Sequence, residues 1–235
     1  MKATNILTVV GLAGCMVLAV RSLAADTAKT TTEPTITYLD IPAPAAKSDG
    51  STATFITGGD ATATQIAQYG FKMIEQIGSM MIAEVNRELA NREISEAVSI
   101  MHLKTMELPK SAAGRPTITA IKRTSLLIRD PRNAPDASDT AALNKIHEQL
   151  MADQTPDKML LQKIERAGQP VEWRVYRPIA ASQSCLACHG DPKTFRPGVK
   201  AALDLLYPED KAVEYGAKEW RGIIRVSLTA PAAAK

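Results

Sequence analysis

Hydrophobic spacing in residues 64–106 predicts two consecutive amphipathic helices. Between Thr64 and Leu89, apolar residues recur every three or four positions, which is typical of a helix with one buried face. Asn91 is a candidate cap for a second helix, predicted from Arg92 to Met106, and Pro109 follows as a helix terminator. The apolar stripe of this second helix consists of Ile94, Val98, Met101, Thr105 and Leu108.

The rest of the sequence, from residue 117 onwards, contains both strand and helix patterns. The predicted elements are a strand within Thr117–Ile128, a helix over Ala137–Asp153, a hairpin of Met159–Arg166 and Val171–Arg177, a short helix over Gly198–Leu206 and a final strand over Arg221–Thr229. A loop rich in turn residues, 130–136, separates the first two. Helices followed by an antiparallel sheet with inserted helices indicate an α+β fold.

The N-terminus has the layout of a secretory signal peptide, predicted to span residues 1–24. Lys2 supplies a positive start, Ile6–Val20 is apolar, and Ser22-Leu23-Ala24 offers small residues before a cleavage site. Two alternatives stay open. The first is a lipoprotein: Leu12-Ala13-Gly14-Cys15 matches a lipoprotein cleavage box, although the apolar run continues beyond that cysteine. The second is an uncut segment, which would act as a membrane anchor. We expect a periplasmic protein that associates with the membrane only in these two cases.

Composition separates a linker from a folded domain. Residues 25–62 are rich in Thr, Ala, Ser, Pro and Gly, which predicts a flexible linker, with the patch Ile36–Ile41 as a weak strand candidate. Residues 63–230 are predicted to form one domain, and 231–235 a tail.

The charge balance argues against nucleic acid as a partner. The chain carries 28 basic and 25 acidic residues, and loss of Lys2 and Arg21 with the signal peptide lowers the formal charge from +3 to +1. No basic tail or stripe is present in the sequence, so a polyanionic partner is not expected.

Cys185-Leu186-Ala187-Cys188-His189 is the attachment signature of a c-type haem. Thiols at this spacing can add to the two vinyl groups of one porphyrin, and the adjacent histidine can coordinate its iron as the proximal ligand. The motif therefore predicts one covalent haem c, one iron and one axial ligand. Haem attachment on the outer side of the bacterial inner membrane agrees with the predicted export.

Three other uses of this cysteine pair remain open. A structural zinc site needs four ligands, yet there is no second cysteine pair, and His102 and His147 are far apart in the sequence. A thioredoxin-like dithiol leaves His189 unexplained, and no βαβ pattern precedes it. A simple disulfide between Cys185 and Cys188 is the third alternative. Cys15 is the one other cysteine, and it leaves with the signal peptide if that is cut.

Several longer motifs resemble those of a bacterial family of single-haem c-type proteins with a PAS-like fold, formerly a domain of unknown function. The motifs that carry the resemblance are Arg123–Leu126 with Arg129–Asp136, Tyr176–Ile179 leading into Cys185–Pro192, and Leu206–Ala212 with Tyr215-Gly216 and Arg221-Gly222. The resemblance covers about residues 65–229. It implies an α+β, PAS-like antiparallel sheet with a long N-terminal helix and inserted helices that together hold one haem.

The resemblance also bears on the distal ligand. In the family, the second helix often carries a cysteine that can be the second axial ligand, and alignment on Lys104 puts Met101 in its place. A thiolate is thus excluded at this position. Met101 is our first choice as distal ligand, although a methionine on a helix more often only fills a core. His102, about 100° further around the helix, is the alternative. An open or water-bound iron is the third arrangement.

The haem propionates need cationic partners. The family stretch makes Arg123 and Arg129 the candidates, ahead of Lys122 and Arg177, although a solvated cation or a loop ion pair explains each equally well.

Three functional classes follow from these motifs. We expect a periplasmic electron-transfer protein whose redox partner is unknown, because a haem with two protein ligands changes oxidation state with little reorganisation. A haem-based redox or gas sensor acting through a separate partner is the alternative. An enzyme is not expected: a peroxidase, of which weak activity stays open, needs acid–base residues at an open distal face, and the sequence offers no such set.

Overall fold

The computed structural model describes residues 50–103 and 107–231, apart from the side chains of His102 and Leu103. The predicted signal peptide, the linker up to residue 49 with its Ile36–Ile41 patch, and residues 232–235 of the tail lie outside the described residues. Within the described part of the chain, no helix is long and apolar enough to cross a membrane.

An antiparallel sheet of five strands organises the domain. The strands are β1 (Thr52–Phe55), β2 (Thr117–Thr124), β3 (Leu160–Glu165), β4 (Glu172–Ala180) and β5 (Trp220–Thr229), arranged in the order β1-β3-β4-β5-β2. The helices are α1 (Ala61–Asn91), α2 (Ile94–Leu103), α3 (Ala137–Met151), α4 (Leu186–His189) and α5 (Val199–Leu206). The predicted α+β, PAS-like class is confirmed.

Part of the predicted linker belongs to the sheet. Thr52–Phe55 forms β1 and pairs with β3 in the register Thr52↔Glu165 to Phe55↔Gln162, so the flexible-linker prediction is wrong for these residues. Most side chains of β1 are exposed, and its pairing is made by the backbone. Such a strand has no hydrophobic alternation, and the sequence pattern therefore did not reveal it.

β2 ends at Thr124, inside the predicted range of Thr117–Ile128. Ser125 closes a tight turn there: its hydroxyl accepts a hydrogen bond from the Leu127 amide (3.0 Å) and donates one to the Leu127 carbonyl oxygen (3.0 Å). On the neighbouring strand, Gly222 has φ +142°, and a Cβ there would lie 2.3 Å from the Thr124 carbonyl oxygen. Close backbone approach at a conformation that favours glycine thus fixes the junction of β2 and β5.

α1 covers one face of the sheet. Asp60 caps its first turn by accepting a hydrogen bond from the Ala63 amide at 2.8 Å. Its buried side chains, among them Ile66 and Ile74, pack against a cluster that includes Val175 and Val226. The helix approaches closely at Gly70, where a Cβ would lie 2.5 Å from Val175 Cγ2.

α3 covers the opposite face, over a buried layer of charged side chains. A capping box of Asp136 and Asp139 begins the helix. Arg174 Nη1 bonds both carboxylate oxygens of Asp136 at 2.7 Å, and Arg225 Nη1 lies 3.0 Å from Oδ1 of Asp139, whose side chain is 0% exposed. Glu172 extends the layer by accepting hydrogen bonds from Arg174 Nε (2.7 Å), Arg166 Nη1 (2.7 Å) and Ser227 Oγ (2.8 Å).

This layer makes the stability acid-sensitive. Burial alone would raise the pKa of Glu172, but hydrogen bonds from Arg174 and Arg166 outweigh it and lower the pKa from 4.5 to about 2. As the folded pKa is the lower one, the unfolded chain binds the proton first as pH falls. We expect the unfolding free energy to decrease between pH 4.5 and about 2 through this group. The contribution is on the order of 1–2 kcal/mol, below what the bare shift implies, because Glu172 keeps some solvent.

Denaturant unfolding of the wild type and of Glu172→Gln over this pH range checks the expectation. Gln cannot titrate, so the variant should be less stable at pH 7 and should lose less stability on acidification. Identical pH profiles of the two proteins would contradict it.

Candidate functional site

The cysteine–histidine motif forms a short, anchored helical segment directly after β4. A 3₁₀ turn, Gln183–Cys185, leads into α4, which carries the rest of the motif. The preceding chain is fixed because the Ala181 amide donates to the Glu219 carbonyl (2.8 Å) and the Lys218 amide to the Ala181 carbonyl (2.7 Å). The motif is thus held against the residues that lead into β5.

His189 is fixed in one tautomer. Its Nδ1 lies 2.7 Å from the carbonyl oxygen of Ala212, and because this oxygen can only accept, Nδ1 carries the proton and Nε2 keeps its lone pair. The Tyr215 ring packs edge-on at 6.4 Å between ring centroids, and its amide donates to the His189 carbonyl at 2.9 Å. Burial, together with the nearby charges of Arg129 and Arg221, lowers the pKa of His189 well below its ordinary value. The imidazole is therefore neutral at pH 7, as a metal ligand must be.

Neither motif cysteine forms a disulfide with a described residue. Cys185 Sγ lies 3.1 Å from Ser182 Oγ and lines the cavity described below. Cys188 packs among apolar side chains of α2 and α5, and burial raises the pKa of its thiol.

A cavity of about 740 Å³ opens beside the motif. Cys185 and His189 of the motif and Met101 of α2 all line it. Apolar side chains from α1, β2 and β5 contribute to the lining, namely Ile74, Met81, Ile82, Val85, Ile121 and Ile224. The predicted proximal and distal residues thus face one space of ligand-binding size.

Met101 reaches this cavity because α2 is packed against α5. Ile94 and Val98 of α2 are buried with Val199 and Leu203 of α5, as the predicted stripe requires, and Met101 comes one turn later, half-buried. Leu108, the last residue of that stripe, follows the described end of α2 and is exposed. His102 lies on the α2 backbone, and its side chain is outside the described residues.

Arg129 connects the motif to the segment that orients His189. Its Nε donates to Asp210 Oδ2 (2.9 Å), and its Nη2 donates to the carbonyl oxygens of Cys188 and Ala212, the latter at 3.2 Å. The Ala212 carbonyl therefore accepts from both Arg129 and His189. Arg129 lines the cavity, and these contacts engage its Nε and Nη2.

Arg123 lines the same cavity and forms no hydrogen bond or ion pair with any described residue, which fits the predicted role. Its side chain is accessible, yet burial, followed by the charge of Arg221, lowers its pKa. These observations agree if the accessible surface faces the cavity and not bulk water.

Several site residues carry no motif signal of their own. Tyr215 reaches the site from the loop before β5, and Arg221 reaches it from β5. Arg177 of β4, which the sequence ranked behind Arg123 and Arg129, lines the cavity as well. Tyr215 and Arg221 belong to the segments that resemble the family, but neither residue type nor spacing assigns them a role. The one sequence feature that could have pointed to the arginines is their position as basic residues at the ends of strands next to the motif.

Comparison with known proteins identifies the family. A family model described as Tll0287-like matches residues 52–229. The chain belongs to the Tll0287-like family. The predicted membership in a bacterial haem-protein family with this fold is thereby confirmed, and the matched region begins at β1, in agreement with the revised domain boundary.

Among solved structures, the crystal structure of the cyanobacterial haem protein Tll0287 is similar to this Tll0287-like chain. The sequences are 25% identical, the match covers 49% of this chain and 62% of that chain, and the TM-score is 0.35. The match therefore spans less than two thirds of that protein. No curated protein was found to match the chain.

Proposed function

We propose that this chain is an exported single-haem c-type protein that carries electrons in the periplasm. Cys185 and Cys188 would bind the porphyrin covalently, His189 would be the proximal ligand and Met101 the distal ligand. The observation that carries the proposal is the hydrogen bond from His189 Nδ1 to the Ala212 carbonyl, which leaves Nε2 free to coordinate at a cavity that Met101 also lines.

The available donors fit such a group. A neutral imidazole of fixed tautomer, a thioether and a thiol line one cavity, and the second thiol is three residues from the first in the sequence. Bound haem supplies a one-electron couple between ferric and ferrous iron. A porphyrin is largely apolar, and the aliphatic side chains of α1, β2 and β5 would exclude water from its faces.

Fixed positions of the ligands support electron transfer in particular. The Ala212 carbonyl, which also accepts from Arg129, restrains rotation of the His189 ring, so the imidazole would keep one orientation on a bound haem. α2 is held on α5 by buried Ile94 and Val98, and Met101 is presented from that helix. Small reorganisation of the ligands favours rapid one-electron exchange over substrate chemistry.

Production of the full chain together with a c-type maturation system tests the proposal. We expect an exported protein that retains one haem per chain after denaturation and extraction with acidic acetone. Its spectrum should change reversibly on one-electron reduction, without rapid binding of carbon monoxide. Purified protein containing zinc and no haem would overturn the proposal, while rapid carbon monoxide binding by the reduced form would favour the sensor alternative.

A further inference from the structure

Two arginines flank one isoleucine on the sheet face that α1 covers. In the strand register, Ile224 of β5 lies opposite Arg123 of β2 on one side and opposite Arg177 of β4 on the other. Side chains of directly paired residues share a face, and neighbouring strands are about 4.8 Å apart. The Cα atoms of the two arginines are therefore about 10 Å apart across the floor of the cavity, which all three residues line.

The two guanidiniums differ from three other cations that line the cavity. Lys122, Arg129 and Arg132 each form an ion pair, with Asp139, Asp210 and Asp130 respectively. Within the described residues, neither Arg123 nor Arg177 has a carboxylate within ion-pair distance or forms a hydrogen bond. Arg177 is held over the ring of Phe71 from α1, with its guanidinium carbon 5.7 Å from the ring centroid.

An unpaired guanidinium in a protein interior is costly unless an anion accompanies it. Arg123 is accessible from the cavity that it lines, and burial together with the positive charge of Arg221 lowers its pKa, so an anion bound beside it would be stabilising. Two acidic residues line the cavity, Glu75 and Asp130, and Asp130 is already paired with Arg132. The ligand itself is therefore the natural source of the two missing negative charges.

We propose that Arg123 and Arg177 together bind the two carboxylates of the porphyrin, one guanidinium to each. This inference rests on the proposed haem function and deepens it. It replaces Arg129, whose guanidinium is committed to Asp210 and to two carbonyl groups, with Arg177. Arg221 is not included, because its guanidinium lies 5.0 Å from the Tyr215 ring centroid and donates to the Leu127 carbonyl.

A comparison of two porphyrins tests the inference. In the full chain with Cys185→Ser and Cys188→Ser, binding becomes reversible and is followed by absorbance. The probes are iron protoporphyrin IX and its dimethyl ester, which differ in the two carboxylates alone. We expect the free acid to bind about tenfold more tightly or better, since each guanidinium–carboxylate contact is a charge-assisted hydrogen bond.

Arginine variants in this background locate the contacts. Arg123→Gln and Arg177→Gln should each reduce the preference for the free acid about threefold or more and leave binding of the diester unchanged. Arg132→Gln is the matched control, because Arg132 lines the same cavity but is paired with Asp130, and the preference should persist. If one arginine variant fails to fold, as judged by circular dichroism, the inference is still tested by the other variant and by the parent's preference for the free acid over the diester.

Equal affinity for the two porphyrins in the parent would overturn the inference while leaving haem binding intact. A preference unchanged in both arginine variants would also overturn it. Absence of binding by either porphyrin would instead overturn the proposed haem function, and this inference with it.

Discussion

Replacing Met101 with alanine is expected to remove the sulfur-to-iron charge-transfer band of the haem-loaded protein and to lower its reduction potential. A thioether opposite an imidazole raises the potential of haem iron, and axial ligands as a whole set it over about 0.8 V. We therefore expect a decrease on the order of 0.1 V or more. Absorbance near the charge-transfer band, paramagnetic resonance and potentiometric titration provide the measurement.

The competing role of Met101 is that of a core residue. It is half-buried and lines the cavity, and a space-filling methionine would leave the ligand spectrum unaffected when it is removed. Met101→Leu keeps the volume and removes the sulfur, so it separates ligation from packing: a ligand role predicts the same spectral change as Met101→Ala with a smaller loss of stability.

His102→Ala is the neighbouring control on α2. If Met101 is the distal ligand, His102→Ala retains the charge-transfer band and a potential close to that of the wild type. Loss of the native low-spin spectrum in His102→Ala, with Met101→Ala unchanged, would transfer the distal role to His102. An unchanged spectrum in both variants would indicate an open or water-bound iron.

Replacing Arg129 with glutamine is expected to destabilise the domain by about 3 kcal/mol and to reduce haem incorporation, because it removes one partner of a buried ion pair. The side chains of Arg129 and Asp210 are both 11% exposed. The guanidinium also bonds the Cys188 and Ala212 carbonyls, so its loss would loosen both the attachment motif and the acceptor of His189. Denaturant unfolding and the haem-to-protein ratio are the two measurements.

Two variants control for the general effect of losing a charge. Arg132→Gln removes the arginine of a pair with Asp130 in which the Arg132 side chain is 60% exposed, and it should cost less than about 1 kcal/mol. In Arg129→Gln with Asp210→Asn, the unpaired carboxylate is also removed, so part of the lost stability should return. Equal losses in Arg129→Gln and Arg132→Gln would contradict the role assigned to the buried pair.

Much of the secondary structure could be predicted because local patterns determine it. The period of three to four in α1, the alternation in β5 and the two strands of the β3–β4 hairpin each bury a face that the pattern reveals. β1 was not predicted, because backbone pairing to β3 holds it in place and its mostly exposed side chains leave no hydrophobic pattern in the sequence. The end of β2 depends on Gly222, nearly one hundred residues later, and no local pattern contains that information.

The attachment motif and the chemistry it predicts are local for the same reason. Cys185, Cys188 and His189 lie within five residues, so their spacing alone indicates a covalent haem and a proximal ligand. Met101 required the family resemblance, since a methionine on a helix has no chemical signature. That it lines the same cavity as His189 depends on how α2 packs against α5.

The cations show most clearly what only tertiary structure decided. Arg123, Arg129 and Arg177 are indistinguishable as residue types, and the sequence could rank them only by resemblance. Whether each is free to bind an anion depends on distant partners: Asp210 and two carbonyls occupy Arg129, while strand pairing aligns Arg123 and Arg177 on either side of Ile224. By itself, the sequence determined the cofactor motif and most helices and strands, because these follow from local spacing. The identity of the unpaired charges was decided by the fold, because pairing depends on contacts between residues far apart in the chain.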